Sequence, residues 1–249
     1  MSGTPFLPVV KVRLRYSKYG KVRFLSHRDL ARIVERSVRL AGLPVAYSEG
    51  FSPRPRLHFG LALSTGYESD AEFFDVDLDP SKGDPGAVEE LPGRLAPCLP
   101  PGVTVTAAVQ LDPGTPSLQE AVTSCTWRFE LGPTDDAAAS ELAAEVAGLL
   151  AAEQLVVTLE RKGKQVDEDL RPLILGLSFE RTADGDGVLH AELGTKPRSV
   201  RPAELLAAFR SHPEPQRVVR THQWTMRDGQ RCEPIGLVAP SPHAEVRAS

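Results

Sequence analysis

Apolar and basic residues alternate through "VVKVRLRYS", residues 9–17, so the segment reads as a strand with one wet, basic face. "GKVRFLS" reads as a hairpin or bulged extension of that strand. The period then changes. Leu30, Ile33, Val34, Val38 and Ala41 recur at helical spacing and predict a helix from about His27 to Ala41. Ser26 and Asp29 form the S-x-x-D signature of a capping box. Gly42 stands where a left-handed residue ends a helix, and Pro44 blocks continuation.

Strand-like runs follow at "LPVAYS", "RLHFGLAL", "AEFFDVDL" and "GVTVTAAVQL", with a helix interrupted by Pro92 in "GAVEELPGRLAP". The order is β-α-β-β-α-β, the split βαβ arrangement of ferredoxin-like domains. "DPGTPSLQEA", residues 112–121, has the composition of a linker. The order then recurs. "CTWRFEL" is a strand, "AAASELAAEVAGLLAAE" a helix, "LVVTLER", "LRPLILGLSFE" and "VLHAELG" strands, "RPAELLAAFRS" a helix and "RVVRTHQWTM" a strand. The expected fold is therefore α+β: two tandem ferredoxin-like (split βαβ) domains with antiparallel sheets. They are expected at 9–112 and 121–230, followed by a flexible tail over 231–249.

No apolar run approaches the roughly 18–20 residues of a membrane span, and the N-terminus lacks the pattern of a secretory signal. Cys98, Cys125 and Cys232 are odd in number and form no CxxC pair. A reducing, cytoplasmic setting with no metal and no cofactor is expected. Charge alters this ordinary picture. Residues 11–60 hold twelve Lys/Arg against three Asp/Glu, or +9, while the rest of the chain sums to −13. A concentrated basic region on an acidic protein points to a polyanion site.

Several residues in that region carry candidate chemistry. His27 opens the predicted helix among Lys21, Arg23 and Arg28, placed to take a proton or to hydrogen-bond a base or phosphate. It reads equally as packing over the helix start. Asp29 reads as a cap. In "SEGFSPRPRLHFG", Gly50 permits positive φ, and Pro53 and Pro55 stiffen a loop that presents Arg54 and Arg56. Phe51 is either a base-stacking group or a hydrophobic anchor, and the anchor is the preferred reading. His58 shares a strand face with Arg56. In the second half Lys162, Lys164 and Arg171, with Arg161, Lys196, Arg198 and Arg201 nearby, read either as a solvated hairpin tip, the preferred reading taken alone, or as an extension of the same cationic cleft. Asp75 and Asp77 alternate on one strand face, a spacing that could bind a metal and that a wet sheet surface explains as well. No Walker loop, GxGxxG, HExxH or Ser-His-Asp order occurs.

Residues 24–75, through "FLSHRDL", "SEGFSPRP" and "GLALSTGYES", resemble the radical-SAM-linked proteins. In that family the domain is fused to a B12-binding radical SAM protein or encoded alone. The matching positions are Phe24, Ser26, His27, Asp29, Leu30, Glu35, Arg36, Pro44, Ser48, Gly50, Phe51, Pro53, Pro55, Gly66, Glu68, Ser69 and Glu72. "RKGKQVDEDLRPLI" resembles a later basic segment of the family. The resemblance implies a radical SAM partner and no defined activity. This chain lacks the CxxxCxxC triad, so any iron–sulfur chemistry would come from that partner. The leading expectation is an RNA-binding accessory protein acting with a radical SAM partner in RNA modification or maturation. The alternatives are a metal-independent RNA-processing enzyme using His27, or a protein-docking module that binds no nucleic acid.

Overall fold

A computed structural model describes residues 8–161 and 163–236. The fold is mixed α+β, built from antiparallel strand pairs and few helices. Its described residues divide into two compact units, 8–121 with 227–236, and 122–226.

In the first unit the strands are β1 (Val10–Lys18), β2 (Leu57–Phe59), β3 (Glu68–Leu78) and β4 (Val103–Gln110). β1 lies between β4 and β3, and β2 pairs with the other edge of β3, all antiparallel. Helix α1 (His27–Leu40) follows β1, and the short α2 (Leu91–Leu95) precedes β4. The expected helix is present because its signals are local. Ser26 Oγ accepts from the Asp29 amide at 3.2 Å and donates to the Asp29 carboxylate at 2.7 Å. At the far end Gly42 takes φ 64°. Leu30, Val34 and Val38 are buried against Val12, Leu14, Tyr16, Phe74 and Val76 of the sheet and Leu91 and Leu95 of α2. Each such side chain contributes about 1.5–3 kcal/mol by leaving water.

The extension expected at "GKVRFLS" is a 3₁₀ turn over Gly20–Phe24 instead. "LPVAYS" forms only isolated bridges, Val45 to Leu78 and Tyr47 to Pro55.

Beyond the exposed Lys11, the wet face expected on β1 is not wet. Arg13, Arg15 and Lys18 are all buried. The strand is covered twice, by helices on its Val12/Leu14 face and by distant chain on the other. Arg13 donates to both Asp75 oxygens at 2.7 and 2.9 Å, to the Pro116 carbonyl and to the Pro234 carbonyl. The expected linker therefore belongs to the fold. It contains a one-turn helix, α3 (Leu118–Ala121), whose Leu118 packs with Ala71, Phe73 and Ile235. The expected tail is likewise revised over 231–236: Glu233 is buried and its carboxylate lies 3.3 Å from Arg15. Residues 237–249 lie outside the described residues.

Burial pushes the Glu233 carboxyl up from its ordinary value, against the pull of Arg15, and Asp70 adds to the rise. Folding thus favours its protonated form. That stability is complete below the ordinary carboxyl range and is lost as pH rises through the raised folded value. Urea unfolding from mildly acidic to neutral pH should show wild type losing stability relative to Glu233→Gln. Parallel profiles for the two proteins would rule this out.

The second unit runs β5 (Val122–Pro133), α4 (Asp136–Ala151), β6 (Val156–Arg161), β7 (Lys164–Asp169), β8 (Ile174–Arg181), β9 (Asp186–Gly194), α5 (Pro202–Leu206) and β10 (Arg217–Arg227). β10, β5, β9 and β8 pair in that order, antiparallel throughout. Cys125, Trp127 and Phe129 on β5 pair in register with Leu193, Ala191 and Leu189 on β9 and form the apolar face. β6 and β7 are a separate hairpin inserted before β8. Among the described residues no helix is long and apolar enough to cross a membrane.

Candidate functional site

The basic segment after α1 folds as a tied loop at one end of the first unit's sheet. The Ser48 amide donates to the Arg54 carbonyl at 2.9 Å, and the Arg54 amide returns to Ser48 Oγ at 3.1 Å. Below this clasp the Arg56 amide donates to the Ala46 carbonyl at 2.8 Å, and the Asp77 amide to the Arg56 carbonyl at 3.1 Å. Gly50 takes φ 121° within the loop, a conformation that a side chain would strain.

Phe51 is 110% exposed at the loop's tip. The anchor reading is therefore wrong: among the described residues no apolar surface covers it, and the ring stands in solvent. Arg54 is exposed, and its guanidinium has no hydrogen bond or ion pair among the described residues. An aromatic face and a free cation thus project from a backbone fixed at both ends, so little ordering entropy remains to be lost on binding.

Arg56 and His58 lie below the loop. β2 pairs His58 with Asp75 and Phe59 with Phe74. Phe59 therefore joins the helix-covered face, and His58 the opposite one. Arg56 Nη2 is 2.8 Å from Asp77 Oδ2, and His58 Nε2 is 3.8 Å from the same atom. Asp77 is 1% exposed, yet neither oxygen has a well-aligned hydrogen bond among the described residues. Asp75 and Asp77 do not face water as expected. They are buried counter-charges for Arg13 and Arg56. Lys11 pairs in register with Asp77 on the same face, is exposed, and has no partner among the described residues. Lys11, His58, Asp75, Ser117 and Leu118 line a cavity of about 250 Å³. The sequence reading missed Lys11 as a site residue. Its alternation with Arg13 is visible in the sequence, but its pairing with Asp77 is not.

His27 does not join this cluster. Its ring is half-buried and meets Phe59 edge-on at 5.6 Å, on the opposite face of β2 from His58. Arg23 pairs with Glu68 at 3.4 Å and lies 4.8 Å over the Phe24 ring. Lys21 and Arg28 are exposed and unpaired among the described residues. The cations of the first unit thus form two groups, one around the start of α1 and one around the loop and β2. They do not form a single pocket beside His27.

Three of the second unit's candidate cations, Arg161, Arg171 and Arg198, are spent within the fold. Arg171 donates to the Leu150 carbonyl at 2.9 Å and the Ile174 carbonyl at 3.1 Å, capping the end of α4. It is a structural residue, not a free cation. Arg161 and Arg198 both pair with Glu168 and Glu204. The Arg198 hydrogen bond, with the charges of Arg198 and Arg161, holds the Glu168 carboxyl below its usual range. Lys164 is exposed at the hairpin tip, and Lys162 lies outside the described residues. Among the described residues no group of three or more His, Cys, Asp or Glu is placed to hold a metal ion.

Residues 11–202 match the family described as an uncharacterized protein conserved in bacteria (DUF2344). The chain belongs to that family. The match spans α1, the tied loop, the His58 strand and the β6–β7 hairpin, and its description carries no activity. No curated protein matches the chain.

Proposed function

We propose that the protein binds single-stranded or looped RNA through the tied loop at residues 48–54 and the Lys11/Arg56/His58 rim beneath it. One observation carries this reading: Phe51 stands fully in solvent near an Arg54 that is unpaired among the described residues, on a clasped loop. Base-on-aromatic stacking with a flanking guanidinium is the common chemistry of single-strand RNA recognition. Specificity comes from the loop, and bulk affinity from charge, so binding weakens steeply with salt.

The protein acts as an accessory to a radical SAM enzyme in RNA modification or maturation, in a cytoplasmic setting. The partner is supported by the resemblance of residues 24–75 to the radical-SAM-linked proteins. The setting is supported by the cysteine pattern: Cys98, Cys125 and Cys232 are odd in number and far apart, with no CxxC pair. Each unit is a version of the split βαβ arrangement. The strand order last-first-third-second supports this in both, with the β6–β7 hairpin as an insertion in the second. An acid–base role for His27 has less support, because among the described residues no carboxylate is seen to orient its ring.

Crosslinking pull-down from cells, with sequencing of bound RNA and mass spectrometry of bound protein, tests both parts. RNA and a radical SAM protein are expected together. Recovery of protein partners with no RNA above background would overturn the RNA reading in favour of a docking module.

A further inference from the structure

The outer face of α1 carries a row of exposed arginines. Burial of Leu30, Val34, Ser37 and Val38 fixes the helix's orientation, and Arg28, Arg32 and Arg36 stand exposed on the other side. They are spaced four residues apart, so they lie on one ridge and advance about 6 Å along the axis at each step. Arg28 and Arg36 have no partner among the described residues. Arg32 meets Asp29 at 3.4 Å, a pair with side chains 62% and 49% exposed. A pair so open to water contributes little and is readily exchanged for another anion.

Like charges four residues apart on a helix repel by a few tenths of a kcal/mol per pair. Here three arginines are set at that spacing on a surface where no packing requires them. The same end of the helix adds an exposed Lys21 and a Phe24 that is 62% exposed with Arg23 stacked on its ring. The Ser26–Asp29 cap occupies helix-start groups that would otherwise attract an anion, so the attraction resides in the side chains.

We propose that α1 is a phosphate rail: the ridge Arg28–Arg32–Arg36 follows the backbone of a single RNA strand, and Phe24 with Arg23 stacks an unpaired base at its start. This rests on the RNA reading above and narrows its ligand to a single-stranded segment rather than a duplex. A straight row of cations follows one strand, and an exposed ring needs a base free of its own stack.

The test is fluorescence anisotropy of a fluorescein-labelled oligouridine titrated with the full chain across a salt series. For single strands each neutralised phosphate contributes about 0.7 to the slope of log affinity against log salt. Wild type is expected to bind with a steep slope. The triple variant Arg28→Gln, Arg32→Gln, Arg36→Gln should lose about 2 units of that slope. Its affinity change between 50 and 200 mM salt should then be roughly 20-fold smaller than wild type's. Arg36→Gln alone should lose about 0.7 of a unit, which covers the case of a poorly folded triple variant. An unchanged slope in both variants, with wild type still binding, overturns the rail and leaves the loop reading standing. Failure of wild type to bind overturns both. Polyglutamate competing as well as unlabelled oligouridine overturns the rail in favour of an acidic protein partner.

Discussion

Asp75→Ala is expected to destabilise the protein by about 3–5 kcal/mol, the usual consequence of stranding a buried charge. Arg13 is 2% exposed, and Asp75 accepts both its Nε and Nη2 hydrogens. Without the carboxylate a guanidinium remains in a space closed by residues 116–118 and 233–235. Asp75 also lines the cavity shared by Lys11 and His58, so the substitution alters the site together with the fold. Urea unfolding of the variant measures the effect. The double variant Arg13→Met with Asp75→Leu should recover most of the loss, because a well-packed apolar pair can replace a buried ion pair. Recovery should be incomplete, since the Pro116 and Pro234 carbonyls lose their donor. A loss below about 1 kcal/mol for Asp75→Ala would mean that the pair is wetter than its burial implies.

Phe51→Ala should weaken RNA binding by about 1–3 kcal/mol, roughly 5- to 150-fold, and leave folding stability almost unchanged. The two effects separate because the ring touches solvent and not the core. The slope of affinity against salt should stay at the wild-type value, since stacking displaces no counterions. Arg54→Ala should behave differently, lowering the slope by about 0.7 if its guanidinium meets one phosphate. Anisotropy titrations with the labelled oligouridine give all three quantities. Wild-type affinity in Phe51→Ala would remove the loop from the RNA surface.

The contrast between α1 and β1 shows what the sequence made legible. The helix was readable because everything that specifies it lies within about twenty residues. Its apolar ridge, the Ser26 cap and Gly42 are local, and each works without knowledge of the rest of the chain. The alternation of Arg13 and Arg15 with Val12 and Leu14 was equally local, but it shows only that the strand has two faces. Whether the second face is wet depends on Pro116, Leu118, Glu233 and Pro234, far away in sequence. Local pattern cannot carry that information.

The candidate site divides the same way. The loop was legible from its glycine, prolines and arginines, as was the shared face of Arg56 and His58. Phe51 misled because residue type favours burial for a phenylalanine, whereas a seven-residue loop clasped at Ser48 and Arg54 offers it no apolar neighbours. Arg171 misled in the opposite sense. Its carbonyl partners at Leu150 and Ile174 exist only once α4 has ended beside β8. Lys11 was passed over because its alignment with Asp77 is a fact of strand register.

The central claim is that the tied loop touches RNA. It is tested most directly by ultraviolet crosslinking of 4-thiouridine-labelled RNA to the full chain, followed by mass spectrometry of the crosslinked peptides. Crosslinks on the peptide that contains Phe51 are the expected result. Efficient crosslinks confined to the second unit, or none at all with the RNA in excess, would contradict it.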